Sequence, residues 1–323
     1  MTFAPRAERL KLPLLVFALL ASALALLPLQ YSMTRKVLDV VAFLDITGSM
    51  NVRDGVAGRS DTARLDASKA AVIQLAQTLP CGSRLGLGIF TERRSFLLFG
   101  PADTCEDYEP LKGAINEIDW RMAWEGDSYI ARGLYDAVAI AHSLEANVAF
   151  FTDGHEAPPL PSSGIPDFEG KPGETRGLIV GVGGQEKLPI PKFDDDGREI
   201  GHYGPGDVPH VNRHGLPGKD MSSAVGWHPR NAPQGGDAVV GEEHLSALRT
   251  SYLMELAAHT GLKFSDLQSE RDLAQALTDA SSSRDVVMKS RAAIFPASAA
   301  LLALMAIYFI AVFLGRMTAT RRP

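Results

Sequence analysis

The chain has 323 residues, 46% of them hydrophobic and 22% charged, with a formal net charge of −6. That average hides a partition: residues 12–34 and 292–315 contain no charged side chain, whereas residues 35–291 hold 26 basic and 37 acidic residues, a net of −11. A surface of that sign repels phosphate backbones and argues against nucleic-acid binding. The two uncharged spans argue against a purely soluble cytoplasmic enzyme.

Residues 1–11 form a basic tail. The run Leu12–Leu29 that follows is 18 residues long, enough at helical rise to cross most of a hydrocarbon core of about 30 Å. It exceeds the roughly 7–15 residues of a signal-peptide core, and Leu29-Gln30-Tyr31-Ser32-Met33 is a poor cleavage site, so 12–34 is read as an uncleaved anchor rather than a removed signal. Val37–Leu44 is nearly continuous in apolar residues, as in a strand buried on both faces. Residues 62–79 carry Leu65, Val72, Leu75, Ala76 and Leu79 at helical spacing and stop at Pro80.

A hairpin is predicted next, around the charged turn Glu92-Arg93-Arg94. In a hairpin centred on Arg93, facing positions sum to about 186, as 81 and 105 do, so the two cysteines, Cys81 and Cys105, fall on facing strand extensions. They can then meet the geometry of a disulfide, a bond that persists in oxidising compartments; two buried free thiols are the alternative.

Residues 128–144 read as a helix, 147–151 and 177–182 as short buried strands, 243–259 and 270–280 as helices, and Lys263-Phe264-Ser265 as a short edge strand. Strands alternating with helices at this spacing predict an α/β domain, a doubly wound, mostly parallel sheet with one antiparallel edge strand. Residues 185–240 interrupt it as a long insertion rich in Gly, Pro and His, which separates 35–184 from 241–284. Within it, Asp194–Gly197 reads as a hairpin turn and lacks the spacing and distal Glu of an EF-hand calcium loop. His202, His210, His214 and His228 match no compact metal motif and are expected to be solvated.

The second uncharged run, 292–315, is 24 residues long and is read as a membrane span, followed by a tail at 316–323. Arg6, Arg9, Lys11, Arg316, Arg321 and Arg322 favour cytoplasmic tails and an external domain between two transmembrane helices, although Arg35, Lys36, Lys289 and Arg291 weaken the bias.

Three segments carry the candidate chemistry. Asp45-Ile46-Thr47-Gly48-Ser49 follows the first strand, Gly126-Asp127-Ser128 precedes a helix, and Thr152-Asp153-Gly154 follows a later strand. Ligands of open parallel sheets bind beyond the carboxyl ends of the strands, and carboxylates with hydroxyls are hard oxygen donors suited to Mg²⁺ or Ca²⁺. Residues 36–280 in this respect resemble the von Willebrand factor A (VWA) domains and their metal-ion-dependent adhesion site, an Asp-x-Ser-x-Ser followed by a Thr and an Asp. The resemblance implies a VWA, Rossmann-like sheet. It also implies Thr47, Ser49 and Ser128 as direct hydroxyl ligands, with Asp45 and Asp153 holding the ion largely through water. Thr47 stands where Ser is usual and Ser128 where Thr is usual; both keep the hydroxyl, and the ion is Mg²⁺, or Ca²⁺ or Mn²⁺.

Such a site leaves a coordination position for a carboxylate of a protein partner. No nucleophile stands beside a base, so a binding protein is expected rather than an enzyme. His155 and Glu156, the residues a metallohydrolase would use, are expected on an exposed rim. Trp120, Met122 and Trp124 are placed either on an aromatic rim or against the core.

The stretches ITGSMNVRD, EGDSYIARGLYDA, TDGHEAPP and PIPKFDDDGREIG further resemble the MxaL-type proteins of bacterial methanol-oxidation clusters. That resemblance implies a periplasmic A domain held in the inner membrane. It also implies a part in maturation, through assembly or calcium insertion, of a quinoprotein methanol dehydrogenase alongside a MoxR-type ATPase. The alternative is an envelope or stress component of the general VWA and MoxR-ATPase group without a methanol role.

Overall fold

The structure, a computed structural model, describes residues 4–28, 30–56, 61–123, 126–160, 163–194, 196–208, 241–267 and 270–319. In chain order its elements are α1 (Ala4–Ala25), β1 (Gln30–Val37), β2 (Asp39–Asp45), α2 (Arg64–Thr78), β3 (Arg84–Thr91), β4 (Arg94–Asp103), α3 (Tyr108–Asn116), α4 (Ile130–Ser143), β5 (Asn147–Thr152) and β6 (Gly177–Gly181). There follow β7 (Leu188–Pro189), β8 (Pro191–Phe193), β9 (Glu199–His202), β10 (Leu245–Ser246), α5 (Thr250–Thr260), β11 (Lys263–Asp266), α6 (Glu270–Ala280), β12 (Arg284–Arg291) and α7 (Ile294–Ala319). The chain divides into two units, Lys36–Arg284 and the two ends, Met1–Arg35 with Asp285–Pro323.

The central unit is built on a six-stranded sheet in the order β11-β6-β5-β2-β3-β4. Five strands are parallel, and β4 alone is antiparallel, at the edge. Every residue of β2, β5 and β6 is buried, which is what a near-continuous apolar run encodes when helices cover both faces. Alternation along β2 feeds two cores. Val40, Ala42 and Leu44 pack with Leu75 of α2, Ile115 of α3 and Leu277 of α6. Val41 and Phe43 pack with Leu134 of α4 and Leu256 of α5.

The β3–β4 hairpin pairs Thr91 with Arg94 and Arg84 with Asp103, with a register shift between Leu85 and Gly88. Just beyond its open end Cys81 and Cys105 form a disulfide with their Cα atoms 5.3 Å apart.

Several elements differ from the sequence expectation. The helix expected over 243–259 begins only at Thr250. Leu245 and Ser246 instead form β10, and residues 247–249 are held out of the helix by non-local partners: Leu248 N donates to Gly184 O at 2.8 Å and Arg249 N to Asp153 O at 2.9 Å. Helix α3, and the two-stranded sheet of β1 and β12, were not foreseen. The insertion is not structureless at its margins, where β7 pairs with β10 and β8 with β9. The predicted turn joins β8 to β9, with Gly197 N donating to Asp194 O at 2.9 Å. His210, His214, His228 and Trp124 lie outside the described residues.

In the terminal unit α1 packs against α7. The small residues Ala18, Ala21, Ala300 and Ala303 are buried, whereas Leu19, Leu20, Leu302, Tyr308 and Phe309 are exposed. Among the described residues no helix is long and apolar enough to cross a membrane.

Candidate metal centre

The chain leaves β2 for one side of the sheet and later returns to the other side with β5, so strand order reverses between these two neighbours. Leu44 is paired with Phe151, which sets Asp45 beside Thr152 at the carboxyl ends of the strands, where ligands bind in open α/β sheets.

Asp45 is completely buried. Its Oδ1 accepts hydrogen bonds from Thr47 N at 2.9 Å and Thr47 Oγ1 at 2.7 Å, and its Oδ2 accepts one from Thr152 Oγ1 at 2.7 Å. Burial, and then the charge of Asp153, push the Asp45 carboxyl up to about 7. No side-chain cation bonds to it among the described residues. A buried carboxylate in that state is costly unless a positive charge joins it.

The hydroxyls complete the arrangement. Because Thr47 Oγ1 gives its proton to Asp45, its lone pairs face away from that carboxylate, and Ser49 Oγ lies 3.4 Å from it. Ser128 enters between the ends of β3 and β5. Ser128 N donates to Ala157 O at 2.6 Å, Ala157 N donates back at 2.9 Å, and Tyr129 N donates to Glu92 O at 2.6 Å. Arg93 braces the same segment, pairing with Asp127 at 3.2 Å and lying 4.9 Å from the centre of the Tyr129 ring. The backbone is thus over-determined, yet the Ser128 hydroxyl is buried with no hydrogen-bond partner among the described residues, and buried hydroxyls are rarely left so.

Asp153, also fully buried, has both oxygens engaged: Oδ1 accepts from His155 N at 2.9 Å, and Oδ2 accepts from Arg64 Nη1 at 2.5 Å and Ser246 Oγ at 2.7 Å. Burial raises its pKa, but Arg64 and the Ser246 bond outweigh it and hold the carboxyl below the usual range. Asp45, Thr47 and Ser49 are thus linked by hydrogen bonds, the charge of Asp153 acts on Asp45, and Ser128 stands on the segment paired with the turn after β5. They offer three hydroxyl oxygens backed by two engaged carboxylates, an all-oxygen set that fits a hard cation. Carboxylates with their oxygens so occupied suit contact through water.

The rim expectation for His155 and Glu156 is corrected: both are buried, at 2% and 3% exposure. Glu156 Oε1 accepts bonds from Ala131 N at 3.1 Å and from the Tyr252 hydroxyl, capping the start of α4. Burial raises its carboxyl to about 7. Burial lowers His155 to about 4, and its Nε2 lies 3.0 Å from Glu243 O. Trp120 stacks on Phe193 with ring centres 4.8 Å apart and packs on the core, while Met122 is 39% exposed.

Sequence reasoning missed Arg64, Asp54 and Ser246, and it named Thr152 only as part of a segment, without its bond to Asp45. A signal for the first was present: 64, 68, 71 and 75 form one helical stripe, and all four residues are buried.

A von Willebrand factor type A domain profile matches residues 40–155, which include β2, β3, α4, β5 and all five residues of the constellation. The fold is VWA-like. The chain is similar to the crystal structure of an aerotolerance-related membrane protein from Bacteroides fragilis, at 15% identity and a TM-score of 0.46, covering 75% of this chain and 98% of that one. It is also similar to a von Willebrand factor type A protein from Catenulispora acidiphila, at 16% identity and a TM-score of 0.32, covering 48% of this chain and 40% of that one. A third likeness is to proximal thread matrix protein 1 of the mussel byssus, at 12% identity and a TM-score of 0.36, covering 80% of this chain and 51% of that one. No curated protein matches the chain.

Proposed function

We propose that this protein is a non-enzymatic, membrane-anchored recognition protein whose VWA domain holds a divalent cation, Mg²⁺ or else Ca²⁺ or Mn²⁺, and uses it to grip a carboxylate of a protein partner. The observation that carries this is the buried, unpartnered Ser128 hydroxyl in a constellation whose other members, Asp45, Thr47 and Ser49, are already mutually bonded. Thr47, Ser49 and Ser128 would hold the ion, with Asp45 and Asp153 behind them. When bound, the ion supplies a Lewis-acidic position that can accept an anionic oxygen. With only neutral hydroxyls as direct ligands, little of its charge is quenched by the protein. Neither His155 nor Glu156 bonds to the constellation through its side chain, which favours binding over hydrolysis.

Anchoring by residues 12–34 and 292–315, with the domain in the periplasm and both tails cytoplasmic, is supported by the packing of α1 on α7. Small residues lie inside and large apolar ones outside, the arrangement expected of helices solvated by lipid. The disulfide agrees with an oxidising compartment. On the resemblance to the MxaL type, the partner is a periplasmic methanol dehydrogenase or its maturation proteins, in concert with a MoxR-type ATPase.

The test is capture of partners by the full chain in mild detergent, with Mg²⁺ and with chelator, read by mass spectrometry. Dehydrogenase or maturation proteins recovered only with metal are the expected result. Recovery of the same proteins under both conditions would remove the metal from the mechanism. Recovery of general envelope proteins alone would replace the methanol role with the wider envelope one.

A further inference from the structure

Among the described residues Arg64 is the largest fully buried side chain, with 0% exposure. Its guanidinium lies between two carboxylates. Nη1 donates to Asp153 Oδ2 at 2.5 Å, while Nε and Nη2 both donate to Asp54 Oδ2, at 2.8 and 2.5 Å. Nη1 also reaches Ser246 Oγ at 2.6 Å and the Ser49 carbonyl at 3.5 Å, so the cation touches the backbone of one constellation residue and the carboxylate of another. The cavity is shaped for it: at Gly183, whose φ is +129°, a Cβ would stand 2.6 Å from Arg64 Nε. Asp54 is held in turn by Gly184 N at 2.7 Å.

We propose that Arg64 is a positioning residue that sets the affinity of the metal centre, acting as an internal counter-charge on Asp153 whose strength is divided with Asp54. This rests on the metal reading above. A fixed positive charge beside one of the two carboxylates opposes a divalent ion in a water-poor site, where charges act over several ångströms. It therefore keeps the affinity moderate and leaves Asp45 as the one unneutralised carboxylate. A partner's carboxylate then adds a charge the site lacks, so ion and partner bind more strongly together than apart. Asp54 tempers the effect by drawing the guanidinium to the opposite side.

The experiment is titration of the full-length protein in detergent with Mn²⁺ alone, free ion being read by electron paramagnetic resonance. Arg64→Gln is expected to tighten Mn²⁺ binding at least tenfold, because a repelling charge is gone. Asp54→Asn is expected to weaken it several-fold, because Arg64 is left wholly to Asp153. The double variant Arg64→Gln/Asp54→Asn replaces two buried charges by neutral groups of similar size and is expected to tighten binding as the first does, so it carries the test if the single variant does not fold. Structural damage would weaken all three alike. If the wild type binds Mn²⁺ and neither Gln-containing variant binds it more tightly, the role of Arg64 is overturned and the metal centre stands. If the wild type is silent and those variants bind, the role is supported by a site unmasked. If no form binds Mn²⁺, both readings fall.

Discussion

Ser128 and Ala157 exchange two backbone hydrogen bonds, of 2.6 and 2.9 Å, and so tie the segment before α4 to the turn after β5. The pair fixes the Ser128 backbone from both directions and leaves the hydroxyl as the residue's only uncommitted group.

Ser128→Ala is therefore expected to abolish metal-dependent partner capture while costing no stability in chelator. A buried hydroxyl without a partner contributes nothing to the fold and its removal relieves a desolvation cost of about 1 kcal/mol. Ser128→Thr keeps the hydroxyl and should keep capture. Thermal unfolding in chelator, beside capture assays of both variants, checks this; a drop of several degrees for Ser128→Ala would mean that the hydroxyl has a structural partner.

Glu156 gives the domain a pH dependence. Its ordinary value of 4.5 is raised to about 7 in the folded protein by burial, so the native state binds the proton more tightly than the unfolded chain. The stability linked to that proton is complete below about pH 4.5 and is lost as pH rises to about 7. Glu156→Gln keeps an acceptor for Ala131 N and removes the titration. Between pH 4.5 and 7.5 the wild type should lose up to roughly 3 kcal/mol relative to this variant. Parallel melting curves in chelator test it, and a constant difference between the two proteins across that range would contradict it.

The Cys81–Cys105 disulfide spans 24 residues of sequence and closes the β3–β4 hairpin. Loop-closure entropy gives such a link about 3 kcal/mol. Reduction, or paired Cys→Ser replacement, is expected to lower the domain's denaturant midpoint accordingly. Melting that is indifferent to reductant would show that the hairpin pairing alone holds these ends.

Gly133 lies in α4, and a Cβ there would stand 2.0 Å from a ring carbon of Phe90, which is itself buried against Phe150 with ring centres 5.7 Å apart. Gly133→Ala gains about 1 kcal/mol of helix propensity, but overpacking costs about 1–3 kcal/mol or more. The packing term wins, and a net loss of up to about 2 kcal/mol is expected in chemical unfolding. A stabilised variant would mean that the ring moves aside freely.

Much of the sheet was legible because a strand buried on both faces writes itself as an apolar run, and because Cys81 and Cys105 mirror each other about Arg93. The candidate site residues were singled out because they sit in short segments at strand ends. What was not legible depends on contacts distant in sequence. Ser246 is extended because Arg64, 182 residues away, holds it, and local periodicity there resembles a helix. His155 and Glu156 are polar residues next to a turn, a pattern that normally means solvent, and only the partners Glu243 and Tyr252 explain their burial. Arg64 lay on the inner stripe of α2, but a charge at a helix start reads as exposed until Asp54 and Asp153 are seen around it.

The most direct measurement is isothermal titration of the full-length protein with Mg²⁺, comparing the wild type with Asp45→Asn. One ion bound per chain in the wild type and none in the variant, with matching melting curves in chelator, is the predicted result. An equal heat of binding in both proteins, or none in either, would contradict a metal centre built on Asp45.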